Sequence, residues 1–173
     1  LLYNLFNQFS IHAGLISTIN IRYNDKKINS TNTTPDPISI NYHLSEMIKS
    51  NIKICFMEVS SHGIDQKRTE SLFFKGVIFT NLTHDHIDYH KSFSNYRNTK
   101  KKIFDSLSNK SFALINNDDR NAKYIIQNSK SKKHTYGIKT KSDFNSTILE
   151  IQLDGMLLNI DNNEIWTKLI GEF

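Results

Sequence analysis

Residues 76–90 read Gly-Val-Ile-Phe-Thr-Asn-Leu-Thr-His-Asp-His-Ile-Asp-Tyr-His, so an apolar strand pattern runs directly into a loop with three histidines and two aspartates. Imidazole and carboxylate groups are the side chains that bind divalent metals and transfer protons near neutral pH. In open α/β sheets, ligands bind beyond the carboxyl ends of the strands. The stretch therefore predicts an α/β fold with a metal or phosphate site in the loop at 80–90.

Outward from this stretch, short apolar runs alternate with amphipathic segments. Strands separated by helices of about 10–15 residues indicate a parallel sheet. Asp154-Gly155 between alternating runs is typical of a hairpin. The predicted fold class is α/β, a mostly parallel sheet flanked by helices with a C-terminal antiparallel β meander. Strands are predicted at 15–21, 53–59 (buried on both faces), 76–80, 111–115, 134–138, 146–153, 156–160 and 164–170, helices at 1–9, 37–50, 66–72, 95–107 and 119–129, and a loop at 24–37.

The composition is that of a globular protein of one domain, with 173 residues of which 38% are hydrophobic. The net charge of +5 comes from scattered lysines, which indicates a solvated basic surface and no nucleic-acid partner. No window has the ~18 consecutive apolar residues of a membrane helix, so no membrane partner is expected. The single cysteine, Cys55, excludes a disulfide framework and fits a reducing cytoplasm. A monomer is expected.

Three further groups of residues are candidates for chemistry. Residues 58–68, Glu-Val-Ser-Ser-His-Gly-Ile-Asp-Gln-Lys-Arg, suit either a metal or phosphate site or a capped helix start. Residues 32–37, Asn-Thr-Thr-Pro-Asp-Pro, suit hydrogen bonding to a polar ligand, although turns use the same residues. Lys100 lies on the predicted helix 95–107 beside two more lysines, where a solvent-facing side chain is the usual outcome.

Together these segments resemble the central domain of the Mur ligases, the ATP-dependent amide-forming ligases of peptidoglycan synthesis. The resemblance rests on TTPDP at 33–37, MEVSSHGIDQKR at 57–68, FTNLTHDHIDYH at 79–90, NYRNTKKKIF at 95–104 and INNDD at 115–119. It extends over nearly the whole chain in the family's order and spacing. Within the family, the motifs are most similar to those of the ligases that add a diamino acid to UDP-N-acetylmuramoyl-L-alanyl-D-glutamate.

The resemblance implies roles for individual residues. Glu58 and His86 correspond to magnesium ligands, and Lys100 corresponds to a lysine that the family carbamylates with carbon dioxide, which gives an anion that also takes part in binding Mg²⁺. These three residues are the implied catalytic set, with ATP and Mg²⁺ as cofactors. The implied contacts to the UDP-muramoyl dipeptide are Asn32, Thr33, Thr34, Ser60, Gln66 and Arg68. The implied reaction activates the D-glutamyl carboxylate as an acyl phosphate, which the amine of the diamino acid attacks.

The glycine-rich phosphate loop of the family has no counterpart here, because no glycine of the chain is followed by lysine. We therefore expect residues 1–173 to be a partial central domain with a P-loop NTPase-like fold that lacks the P-loop strand. The N-terminal UDP-binding domain and the C-terminal ligase domain are expected to lie outside it. Such a fragment is expected to be inactive alone and to leave a gap in its sheet. meso-Diaminopimelate is expected over lysine as the diamino acid.

Two alternatives stay open. Another member of the superfamily, such as folylpolyglutamate or cyanophycin synthetase, is one, although the stretch at 58–68 argues against it. The other is a metallohydrolase, because His84-x-His86-x-Asp88-x-His90 is similar to the HxHxDH signature of the metallo-β-lactamase superfamily. That match has one residue too many before the last histidine. In the ligase interpretation His84 is not a metal ligand, and Asp85, Asp88, Tyr89 and His90 shape the loop.

Overall fold

The computed structural model describes residues 1–169 and residue 171. The chain divides into two compact units, Leu1–Leu72 and Phe73–Phe173, called the first and the second unit below. In the described part of the chain, no helix is both long and apolar enough to cross a membrane.

The first unit is a small sheet with three helices. Its four strands pair in the order β3-β2-β1-β4, in which β1 and β4 are parallel and β1, β2 and β3 form an antiparallel ribbon. Its apolar core is formed by Ile16, Ile21, Tyr23, Met47 and Ile52. The elements are α1 (Leu2–Gln8), β1 (Ala13–Ile16), β2 (Asn20–Tyr23), β3 (Lys26–Asn29), α2 (Pro37–Lys49), β4 (Ile54–Met57) and α3 (Ser61–Asp65).

The single strand predicted at 15–21 is wrong, because the structure has a hairpin there. The chain turns at 17–19, where the backbone N and the Oγ of Ser17 both donate to Asn20 O, at 3.1 and 2.8 Å. A second turn then places β3 inside the predicted loop at 24–37, and Asn24 takes the left-handed φ of 49° that asparagine tolerates. The first turn was not predicted because it contains no glycine or proline and is closed by the Ser17 side chain. The β-branched residues on either side of it are typical of one continuous strand.

The strand β4 is half-buried at every position, whereas the sequence predicted burial on both faces. It lies at the edge of the four-stranded sheet and pairs with β1. An edge strand has fewer neighbours to cover its side chains, which accounts for the lower burial.

The helix α2 begins where the sequence predicted. The Asp36 carboxylate accepts hydrogen bonds from the backbone N–H groups of Ile38 and Ser39, both at 3.0 Å, and Pro37 takes the first helical position. The helix predicted at 66–72 is wrong in position. The structure has α3 at 61–65 instead, because Ser60 Oγ caps that helix by accepting from Gly63 N at 3.1 Å.

The second unit confirms the predicted fold class. Its six strands pair in the order β10-β9-β8-β7-β6-β5, of which β5 to β8 are parallel and β8 to β10 form the antiparallel meander. Ala113, Ile115 and Ile125 are fully buried or nearly so, and the rings of Phe79 and Phe104 meet edge to face at 6.2 Å. The elements are β5 (Gly76–Phe79), α4 (Ile87–His90), α5 (Phe93–Asp105), β6 (Phe112–Asn116), α6 (Ala122–Ile126), β7 (Lys132–Gly137), β8 (Phe144–Gln152), β9 (Gly155–Ile160) and β10 (Asn163–Thr167).

Several predicted element bounds in this unit shift, and one short helix is new. The helix predicted at 119–129 shortens to α6, and the short helix α4 was not predicted within the loop at 80–90. The strand predicted at 164–170 ends at Thr167, and Ile170 lies outside the described residues.

Candidate functional site

Glu58 leaves the carboxyl end of β4 in the first unit, held by both its backbone and its side chain. Its backbone N donates to Ile16 O at 2.9 Å, which continues the pairing of β4 with β1 by one residue. Its carboxylate oxygen Oε2 accepts hydrogen bonds from the backbone N and the hydroxyl of Thr18, both at 2.7 Å. Because Glu58 is exposed, its carboxylate is fixed in direction and still accessible to a ligand.

Thr34 joins the loop at 32–37 to the turn after β4. Its side chain is fully buried, and its Oγ1 donates to Glu58 O at 3.1 Å and accepts from Ser60 N at 2.9 Å. Gly63 permits this contact, since a Cβ there would lie 2.7 Å from Thr34 Cβ. The hydroxyl of Thr34 is therefore occupied by its own chain, and Thr34 orders the residues on either side of Val59.

Arg68 closes the same group of residues from the following turn. Its Nη1 donates to Thr34 O at 2.6 Å, while Nε and Nη2 both donate to Gln66 Oε1, at 2.9 and 2.5 Å. Thr33 lies beside Thr18, with their hydroxyl oxygens 3.1 Å apart. Asn32 is exposed on the same loop as Thr33. The first unit thus brings together Thr33, Thr34, Glu58, Ser60, Gln66 and Arg68 from among the residues that the sequence singled out.

In the second unit, the loop at 80–90 is anchored by side chains from the end of the neighbouring strand β6. Asn116 Nδ2 donates to Thr80 O at 2.8 Å, and Leu82 N donates to an Asp119 carboxylate oxygen at 2.7 Å. These two bonds fix the start of the loop. His86 then takes a left-handed φ of 58° immediately before α4. The loop therefore begins at a fixed position and leads into α4.

The three histidines of this loop have different surroundings. His84 stacks on the ring of Phe93 with centroids 4.6 Å apart, whereas His90 is buried with its ring centroid 5.4 Å from that of Tyr96. His86 is exposed and its ring meets Tyr96 edge-on at 5.9 Å. Among the described residues, no three His, Cys, Asp or Glu side chains are grouped so that they could hold a metal ion. The initial prediction of a metal site made from this loop alone is not supported.

Lys100 lies on α5, one turn after Tyr96. Its Nζ is 5.3 Å from the centre of the Tyr96 ring, and the side chain is half-buried. Burial lowers the pKa of Lys100 below its usual value, and the Asp85 carboxylate opposes this in part. At a given pH, a larger fraction of Lys100 is therefore in the neutral amine form than of a lysine in water.

The neighbouring lysines on α5 differ from Lys100. Lys101 is buried and forms an ion pair with Asp105, with Nζ 2.5 Å from Oδ2. Lys102 is exposed. The residue pattern alone predicted that Lys100 faces solvent. In the structure Lys102 does so, whereas Lys100 is half-buried.

Sequence reasoning missed the residues that support the site. It gave no role to Thr18, which lies within a run predicted to be one continuous strand. It quoted Asn116 and Asp119 within the INNDD motif without assigning them a function. For Asn116 and Asp119, the signal in the sequence was the group of polar residues at 116–119 that follows the apolar strand predicted at 111–115.

The profile of the family described as Mur ligase middle domain matches residues 1–173. The chain belongs to this family. The Mur ligase resemblance read from the motifs is thereby confirmed, and family membership excludes the metallohydrolase alternative.

Known relatives of this Mur ligase chain agree with the fold. The chain is 49% identical over 173 residues to a UDP-N-acetylmuramoyl-L-alanyl-D-glutamate--2,6-diaminopimelate ligase of Bacteroides fragilis, covering 100% of this chain and 36% of the relative. It therefore spans about a third of the length of that relative. A solved structure of a ligase with the same name superposes with a TM-score of 0.83 at 23% identity, over 97% of this chain and 36% of that one. A MurF ligase from Thermotoga maritima in complex with ADP superposes with a TM-score of 0.63 at 16% identity, over 98% and 36%.

Proposed function

We propose that this chain forms the central part of an ATP-dependent ligase that adds a diamino acid to UDP-N-acetylmuramoyl-L-alanyl-D-glutamate. The main support is the 49% identity, over all 173 residues, to a relative that carries this name. The same relative favours 2,6-diaminopimelate over lysine as the diamino acid, and we propose the meso isomer. We place the activity in the cytoplasm, because a single cysteine leaves no internal disulfide in this chain. A monomer is the proposed oligomeric state.

The UDP-linked substrate is proposed to lie along the polar group of the first unit. Asn32 and Thr33 offer polar side chains on one loop, and Ser60 and Gln66 offer them on the other. Arg68 would orient an anionic part of the substrate, because its forked guanidinium matches a carboxylate better than an ammonium does. Its Nε and Nη2, which donate together to a single amide oxygen of Gln66, form the edge that suits a carboxylate. Thr34 would contribute by holding Glu58 and Ser60 in place.

Lys100 is proposed to be the residue that carbon dioxide modifies. In that reaction the neutral amine nitrogen attacks the carbon of CO₂, an N–C bond forms, one C=O π bond opens to a carboxylate, and a proton leaves the nitrogen for solvent. The reaction needs the neutral amine, so the lowered pKa of Lys100 increases the reactive fraction at a given pH. The carbamylated fraction is expected to rise with pH until that pKa is passed.

Glu58, His86 and carbamylated Lys100 are the proposed magnesium ligands. The chemistry of Glu58 and Lys100 fits, because Mg²⁺ prefers carboxylate oxygens, which Glu58 offers and which modification would create at Lys100. His86 would add an imidazole nitrogen, and its assignment rests on the family resemblance. The bound ion would neutralise charge on the phosphoryl group that ATP transfers to the D-glutamyl carboxylate. The share of the protein is to hold the reacting groups in place while the amine of the diamino acid attacks.

The test uses the complete open reading frame that contains this sequence. Purified protein is incubated with ATP, the UDP-muramoyl dipeptide and either meso-diaminopimelate or lysine, and phosphate release and the product mass are measured. We expect product with meso-diaminopimelate, and a loss of turnover on the order of 10²-fold in Lys100→Ala. Lys102→Ala, on the same helix but exposed, is the matched control and should retain activity.

Intact mass spectrometry in bicarbonate buffer provides a second measurement. The mass of one CO₂ should add to the wild type and to Lys102→Ala and be missing from Lys100→Ala. Turnover with a folate substrate in place of the UDP-muramoyl dipeptide would overturn the proposal and favour a folylpolyglutamate synthetase.

A further inference from the structure

We infer that Thr18 is a positioning residue that orients the carboxylate of Glu58 toward its cation. This inference rests on the proposed role of Glu58 as a metal ligand. Thr18 lies forty residues before Glu58, in the turn between β1 and β2. It is the residue whose backbone N and side-chain hydroxyl both reach the Glu58 carboxylate, at 2.7 Å each. Two short hydrogen bonds from one residue restrict both the position and the rotation of the carboxylate.

The turn that carries Thr18 is itself fixed. Ser17 is buried, and its N and Oγ both donate to Asn20 O on the far side of the turn. Ser30 N donates to Ile19 O at 3.2 Å, which ties the turn to the end of β3. The donors that face Glu58 therefore sit on a rigid support and not on a free loop.

Both hydrogen bonds from Thr18 end on the same carboxylate oxygen, Oε2. Among the described residues, no hydrogen bond ends on Oε1 of Glu58, so that oxygen keeps its lone pairs for a ligand. Residues that hold a metal ligand in this way typically affect metal affinity or activity by about 10- to 100-fold. Oε2 of Glu58 is therefore held by Thr18, and Oε1 is available to bind the cation.

The hydroxyl of Thr18 also connects Glu58 to Thr33. A hydroxyl carries one proton, and the carboxylate is the stronger acceptor, so Thr18 gives its proton to Glu58. Thr33 Oγ1, at 3.1 Å, is the second and more distant acceptor within reach of the Thr18 hydroxyl. A substrate that contacts Thr33 would therefore act on the same chain of hydrogen bonds that orients the metal ligand.

The test measures metal binding directly, with Mn²⁺ as the probe in electron paramagnetic resonance titrations of the complete open reading frame. Thr18→Val keeps the shape and the backbone N–H but removes the hydroxyl, and its Kd for Mn²⁺ should rise on the order of 10-fold. Thr18→Ser keeps the hydroxyl and should bind Mn²⁺ within about twofold of the wild type. Thr147→Val, at an exposed threonine of β8, is the matched control and should leave the Kd unchanged.

The proposed function and this inference fail in different ways. If Glu58→Gln binds Mn²⁺ as tightly as the wild type, Glu58 is not a ligand and the proposed role itself is wrong. If Glu58→Gln weakens binding but Thr18→Val does not, the inference about Thr18 is overturned while the role of Glu58 stands. Thr18→Ala, which removes the hydroxyl without a bulkier replacement, should repeat the result of Thr18→Val. A wild-type Kd for Thr18→Ala would also overturn the inference.

Discussion

Replacing Thr34 by valine should destabilise the chain, although the two side chains have nearly the same shape. Thr34 is fully buried, and its hydroxyl donates to Glu58 O and accepts from Ser60 N. Valine keeps the methyl packing and removes the hydroxyl. The substitution therefore leaves the Glu58 carbonyl and the Ser60 N–H group without this hydrogen-bond partner.

The magnitude follows from those two groups. A buried polar group left without a partner costs about 1–3 kcal/mol. The Thr34 side chain is fully buried, but its partners belong to Glu58, which is exposed, and Ser60, which is half-buried. Water can therefore reach the two backbone groups in part, so we take the lower end for each group and expect Thr34→Val to cost about 2 kcal/mol. Thr34→Ser keeps the hydroxyl and loses one buried methyl group, which should cost about 1 kcal/mol.

The measurement is urea unfolding of the chain followed by far-ultraviolet circular dichroism, with the slope m checked for each variant. Thr31→Val, on the same loop but exposed, is the control and should change the free energy of unfolding by less than about 0.5 kcal/mol. Valine should cost more than serine. A larger cost for serine would show that packing, and not the hydroxyl, makes Thr34 important, and would refute the argument.

Two further predictions concern the aspartates after β6. Asp119→Ala removes the acceptor of the Leu82 N–H and should cost about 1–2 kcal/mol, with faster hydrogen exchange at the Leu82 amide but not at amides in the centre of β6. Asp118 differs because burial acts to raise the pKa of its carboxyl, but hydrogen bonds from the N–H groups of 138–140 outweigh it and lower the pKa. The stabilisation from Asp118 is thus present above the usual aspartate pKa and is lost as pH falls through the lowered one. The difference in unfolding free energy between wild type and Asp118→Asn should shrink over that acidic range, and a difference independent of pH would contradict this.

Local patterns were sufficient for much of the fold. Asp36-Pro37 marked the start of α2, because a capping carboxylate and a proline at the first helical position act within one turn. Asp154-Gly155 marked the hairpin between β8 and β9 for a similar reason. The hairpin at 13–23 was missed, because its turn is closed by hydrogen bonds from Ser17 to Asn20 O and contains no glycine or proline. The β-branched residues around the turn are typical of a continuous strand. The helix predicted at 66–72 was misplaced because the cap at Ser60 was not recognised as a helix start.

The motifs by themselves determined the family, and local patterns predicted the six strands of the second unit in their order. These properties depend on residues close together in the chain, which turn chemistry and hydrophobic period reveal. Only the tertiary structure decided that Lys100 is half-buried while Lys102 is exposed, because successive helix positions face different neighbours and the packing of those neighbours sets their burial. It also decided that the Glu58 carboxylate is held by Thr18, since a hydrogen bond across forty residues exists only once β1 and β4 have paired.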